Sequence, residues 1–214
     1  MTSQIKHHLT PDIMMAYSAG SLPEAFSLMV ASHISLCDVC RAEVESYDAL
    51  GGALLNDDTA VMSPHSLAAT MALIKAGGSE PALPRATCDV LPKPLQDYVG
   101  GDLSSVKWRS VGMGVKQAIL PTSKDASARL LFIPAGAAMP DHGHKGTEIT
   151  MVLKGAFSDE SERFGRGDLE FADEDLHHTP IADPSEDCIC LAVTDAPLRF
   201  SGLFARIAQP FLKI

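Results

Sequence analysis

Residues 33 to 40 read HISLCDVC, which sets His33, Cys37 and Cys40 at H-x3-C-x2-C spacing. One imidazole and two thiols this close form most of a tetrahedral zinc shell. A continuous helix would separate residues 33 and 40 by roughly 10 Å along its axis, at about 1.5 Å per residue, whereas the donors must meet within about 2.0–2.3 Å of one ion. The helix carrying His33 must therefore break near Ser35, leaving the cysteines in the positively polarised first turn of the next one. Three donors leave the tetrahedron one short, and either His7 or His8, just ahead of the first helix, can close it. Two thiolates with two neutral imidazoles make a charge-neutral centre that is closed to water and structural.

The surrounding sequence is helical. Thr10-Pro11 joins a capping hydroxyl to a first-turn proline, and Ile13, Met14 and Tyr17 follow at helical spacing, predicting a helix over about 10 to 19, up to Gly20. Ser21 and Glu24 read as a capping box opening a second helix through Phe26, Val30 and His33. A third is expected after Cys37, with Val44, Tyr47 and Leu50, ending at Gly51-Gly52. A fourth lies between Ser63-Pro64 and Gly77-Gly78, with Leu67, Met71 and Ile74 as its apolar stripe.

From Gly77 to Pro94 the chain turns to Gly, Pro, Ala and Ser, with prolines at 81, 84, 92 and 94 expected to interrupt any helix or strand. Short β-like runs follow: Val106 to Val111, Val115 to Leu120, Leu130 to Ile133, Glu148 to Leu153, Asp168 to Phe171 and Cys188 to Val193. Many short strands with Gly and Pro turns imply a sandwich or barrel. The expected fold class is multidomain α + β: a zinc-stabilised helical bundle over 1–78, a linker over 79–95, and an antiparallel β-sandwich or barrel over 96–214.

A formal charge of -10 with no cationic block argues against a nucleic-acid groove, and the stretch after Cys40 sets Glu43, Glu45 and Asp48 against Arg41, unlike a recognition helix. A partner surface is expected to be basic or apolar. The chain has no apolar run of about 18 residues and no leader-like start, so a cytoplasmic location is expected. In that reducing compartment Cys37/Cys40 and Cys188/Cys190 point to metal or redox chemistry more than to disulfides, with small buried thiols the commoner explanation for the second pair. Cys88 is expected to be an exposed thiol in the linker.

A second donor group lies at G-x5-H-x-H-x3-E-x6-G, from Gly136 to Gly155, with His142, His144 and Glu148 all at even positions. On a strand that parity gives one face, and imidazole with carboxylate suits Zn, Mn, Fe or Ni. The pattern resembles the first signature of the cupin superfamily, small β-barrels that hold one metal with three histidines and a glutamate. The second signature, G-x5-P-x-G-x2-H-x3-N, placed on Gly167, selects His178 over His177 as fourth ligand. Asp173, Asp175 and Ala182 replace its Pro, Gly and Asn.

Joined to the H-x3-C-x2-C segment, this arrangement resembles the ChrR family of anti-sigma factors. The likeness is carried by LPEAFSLMVASHISLCDVC at 22–40, DHGHKG at 141–146, LKGAFSDE at 153–160, DCICLAVTDAPLRF at 187–200 and QPFLKI at the end. The resemblance implies that His8 completes the first site. It implies that the helices bind an extracytoplasmic-function sigma factor while the cupin governs release under singlet-oxygen or peroxide stress, without catalysis. Met14, Met15, Tyr17, Phe26 and Met29 would then be divided between core and partner. The alternative is a metal-dependent cupin enzyme, a dioxygenase or isomerase, with a helical dimerisation module.

Overall fold

The computed structural model describes residues 5–56, 60–77, 89–140, 142–143, 145–173, 177–196 and 199–200, the last two and 142 by backbone alone. Among the described residues five helices come first, ahead of the strands: α1 (Pro11–Ser18), α2 (Glu24–Ile34), α3 (Asp38–Asn56), α4 (Ser66–Ala76) and α5 (Lys93–Val99). Twelve strands follow a short 3-10 turn: β1 (Arg109–Gly112), β2 (Val115–Leu120), β3 (Ser127–Ile133), β4 (His142–Gly143), β5 (Glu148–Lys154), β6 (Ala156–Ser158), β7 (Arg163–Gly165), β8 (Leu169–Ala172), β9 (His177–His178), β10 (Ile181–Ala182), β11 (Cys188–Thr194) and β12 (Arg199–Phe200).

Three local expectations are corrected. The Ser21/Glu24 capping box does not form, because Pro23 takes the N-cap position and the Glu24 carboxylate is drawn away to Tyr98 Oη and the Ser123 N–H, both at 2.6 Å. Gly51-Gly52 does not stop α3: neither glycine adopts a left-handed φ, and a cost of about 1 kcal/mol each is borne by a helix already anchored through Cys40 and Val44. Pro92 and Pro94 do not interrupt structure either, since they occupy the N-cap and first turn of α5, where a missing N–H removes no intrahelical bond.

All paired strands are antiparallel. They form a six-stranded sheet, β1-β2-β3-β11-β5-β8, and two three-stranded sheets, β10-β6-β7 and β12-β4-β9. Among the described residues these sheets do not close into a barrel. The small sheets are built from strands of two or three residues, too short to carry a hydrogen-bond ladder from one edge of the large sheet to the other.

The large sheet is covered on both faces. Leu130, Ile149, Met151, Leu153, Leu191 and Val193 face the helices and share one core with Met14, Met29, Val30 and Leu95. Residues of opposite parity, Ile133, Val152, Cys188 and Cys190, share the other core with Phe157 and Phe164. Helix α2 is wedged between α1, α3 and α5 on one side and β3, β5 and β11 on the other. Its Met29 and Val30 are accordingly fully buried, as are the near-continuous apolar runs of β5 and β11.

Candidate metal centres

The chain breaks between His33 and Cys40 as the donor geometry requires. Helix α2 ends at Ile34 with Ser35 as its C-cap, the Leu36 and Cys37 N–H groups both donate to the His33 carbonyl at 2.9 Å, and α3 begins at Asp38. The turn folds Cys40 back so that its Sγ lies 3.3 Å from His33 Nε2. His8 arrives from the segment ahead of α1, its Nδ1 3.3 Å from Cys37 Sγ and 3.6 Å from Cys40 Sγ. The four donor atoms all lie within 4.8 Å of one another. A tetrahedron with bonds of about 2.0–2.3 Å has edges of roughly 3.5 Å, so the cluster has the size of a Cys2His2 zinc shell.

Its electrostatics suit a metal as well. Burial pushes the His33 pKa down to about 4, which keeps its imidazole neutral at physiological pH. Burial also pushes the Cys40 thiol up to about 11, so an incoming ion would displace a proton there. His7 turns the other way: its Nε2 meets the Glu162 carboxylate and its Nδ1 lies 3.4 Å from Asp168 Oδ1. The structure thus groups His8, and not His7, with the thiols.

In the β region, Glu148 opens β5, half-buried, and accepts from Thr150 Oγ1 at 3.3 Å. The β4–β9 register sets His142 directly opposite His178. The His142 side chain and the whole of His144 lie outside the described residues, as does Cys88. His178 is buried, with Nδ1 3.0 Å from Glu170 Oε1 and 3.7 Å from Asp159 Oδ2. Asp159, Glu170 and His178 place one donor atom each within 4.8 Å of the others.

Sequence reasoning missed Asp159 and Glu170, although Glu170 is the sole charge within the buried strand LEFA, an uncommon enough position to be a signal. Burial raises the Glu170 pKa against the opposing pull of His178. Burial also works against charge on His178, but the Glu170 hydrogen bond and the fields of Glu170, Asp159 and Glu148 outweigh it and raise that pKa. Burial disfavours the Asp159 carboxylate too, yet the N–H groups of Glu162 and Ser161, at 2.9 and 2.8 Å, help to hold it down at about 2. Cys188 and Cys190 are buried, their sulfurs 3.5 Å apart.

A cavity of about 330 Å³ is lined by His8 of the first cluster, by Asp159 and Glu170 of the second, and by the His7–Glu162 pair. Of the methionines and aromatics expected to divide between core and partner, Met14, Phe26 and Met29 are core, Tyr17 is partly buried and Met15 is exposed. Among the described residues, further exposed large apolar side chains lie on the end of α3 (Leu50, Leu54, Leu55) and on α4 (Leu67, Met71, Leu73, Ile74). Among the described residues no helix is long and apolar enough to cross a membrane.

Comparison with known proteins agrees along the whole chain. Residues 96–197 match the family described as the ChrR cupin-like domain. The anti-sigma-E factor ChrR of Cereibacter sphaeroides is 53% identical over 211 residues, covering 98% of this chain and 99% of the relative. A crystal structure of Rhodobacter sphaeroides SigE in complex with the anti-sigma ChrR contains a chain that superposes with a TM-score of 0.78 at 53% identity, over 90% of this chain and 100% of that one.

Proposed function

The chain belongs to the ChrR family of anti-sigma factors, and on that premise we propose that it binds an extracytoplasmic-function sigma factor through its N-terminal helices and holds it inactive. The observation that carries this reading is α4, an apolar helix with no buried residue, whose Leu67, Leu73 and Ile74 are 72%, 73% and 65% exposed. The end of α3 carries further exposed large side chains, Leu50, Leu54 and Leu55, and side chains of this kind are what a protein partner covers. The relative's likeness to this chain is with an anti-sigma factor over its full length, which sets aside the enzyme reading.

His8, His33, Cys37 and Cys40 are the proposed ligands of a structural zinc, supported by their mutual distances and by the burial that keeps the His33 imidazole neutral. Zinc there supplies a cross-link between the segment ahead of α1 and the α2–α3 junction. His142, His144, Glu148 and His178 are the proposed ligands of a second ion, Zn, Mn, Fe or Ni, within a cupin-like β domain over 96–214. That domain is joined through a linker over 79–95 to the anti-sigma part over 1–78. The β4–β9 register supports the pairing of His142 with His178, and Glu170 and Asp159 orient the His178 ring. The second ion would serve the response to singlet oxygen or peroxide.

The test is binding to an extracytoplasmic-function sigma factor from the same organism, read by titration and by transcription in vitro. The double variant Leu67→Asp/Ile74→Asp is expected to lose at least ~30-fold in affinity, as hot-spot residues do, with an unchanged melting temperature. Full affinity in that variant would sink the assignment of α4 to the interface.

A further inference from the structure

We propose that Asp168, in the β region, is a positioning residue for the first metal centre: it holds residues 5–7 so that His8 reaches the thiols. The inference rests on the reading of His8, His33, Cys37 and Cys40 as a zinc site.

The segment ahead of α1 forms no helix or strand of its own over residues 5–10, so contacts with other elements fix its path. The turn between β7 and β8 supplies them. Asp168 is only 4% exposed, and its Oδ1 accepts from the Lys6 N–H at 2.6 Å and the His7 N–H at 3.0 Å, while its Oδ2 accepts from the Gly165 N–H at 2.8 Å. These are charge-assisted bonds from a buried carboxylate, the strongest class open to a backbone N–H. Gly167, at φ +88, lies under Ile5, and a Cβ there would come within 2.5 Å of Ile5 Cδ1. Phe164 packs on the His7 ring at 4.6 Å between centroids.

One residue beyond this strap stands His8. One of the four donors therefore owes its placement to a turn more than 150 residues away in the chain. By thermodynamic reciprocity, any rearrangement of the β7–β8 turn loosens the first centre, and loss of that metal loosens the docking of the β region.

The test uses the full chain loaded with cobalt(II), whose thiolate-to-metal absorption reports the cysteine-bearing site alone. Asp168→Ala and, acting from the other side of the contact, Lys6→Pro, which removes one donated N–H and leaves the β7–β8 turn intact, are each expected to weaken cobalt binding roughly 10- to 100-fold. In a His8→Ala background neither change should weaken it further, because both act through His8. Unchanged affinity in both variants, or equal losses with and without His8, overturns the proposal and leaves the zinc reading standing. A wild-type chain that shows no thiolate–cobalt absorption overturns the zinc reading and this inference with it.

Discussion

Helices α2 (EAFSLMVASHI) and α4 (SLAATMALIKA) are each eleven residues long, and each is predominantly apolar. Seven residues of α2 are buried, and none of α4. Helix α2 is mostly apolar because most of it is covered, by three helices and the large sheet, with Glu24, Ser27, Ala31 and Ile34 left as its less buried stripe. Helix α4 has the same character without the cover. Apolar composition measures how much surface a helix can hide, not whether this chain hides it. A helix that meets the first condition and not the second marks where another molecule belongs.

The largest expected effect concerns the proposed zinc, because α2 contributes His33 to that donor cluster while α4 contributes none of it. Structural zinc sites contribute apparent binding energies on the order of 10 kcal/mol, so Cys37→Ser/Cys40→Ser should unfasten α1, the end of α2 and the start of α3. Amide exchange is expected to show lost protection there and no change over α4. Protection of α2 that survives the loss of zinc would break the contrast.

A matched pair of truncations probes packing directly. Met29 is 0% exposed and Met71 is 45% exposed. In urea unfolding, Met29→Ala is expected to cost about 2–5 kcal/mol, the range for a cavity in a close-packed core. Met71→Ala should stay within about 0.5 kcal/mol. Equal costs would mean that α4 is covered within the chain itself.

The smallest effect sharpens the boundary of α2. Tyr98 of α5 donates to Glu24, the first residue of α2, and this hydrogen bond, with burial, raises the tyrosine pKa to about 12. Tyr98→Phe should cost roughly 1 kcal/mol or less at neutral pH, since the pair is partly exposed and screened. An acid whose folded pKa is raised contributes stability that is complete below its unfolded value. The advantage of Tyr over Phe should therefore persist up to about pH 10 and vanish by about pH 12. A difference that is flat across that window would show that the Glu24 bond does not hold α2 in place.

Much of the fold was legible. The break after Ile34 followed from bond lengths and helix rise, and the long strands β2, β5 and β11 followed from short apolar runs. The misreadings share one physical cause. Glu24 had a local capping partner in Ser21 and a distant one in Tyr98, and tertiary contact won. Gly51-Gly52 is a stop signal only where the chain has reason to turn, and α3 had none. Asp159 and Glu170 lie 19 and 8 residues ahead of His178, and nothing in their spacing foretold that β8, β9 and the end of β6, each from a different sheet, would bring the three into one cluster.

The two adjacent histidines show where chain-local reasoning stops. Donor chemistry and helix geometry dictate that His33, Cys37 and Cys40 meet and that a fourth ligand must come from outside their turn, because those requirements involve atoms a few bonds apart. His7 and His8 satisfy them equally. The choice between them depends on Asp168 and Glu162, which draw residues 5–7 onto the β7–β8 turn and leave His8 facing the thiols. Contacts across more than 150 residues of chain come from packing alone, and so does the difference between a buried α2 and an uncovered α4.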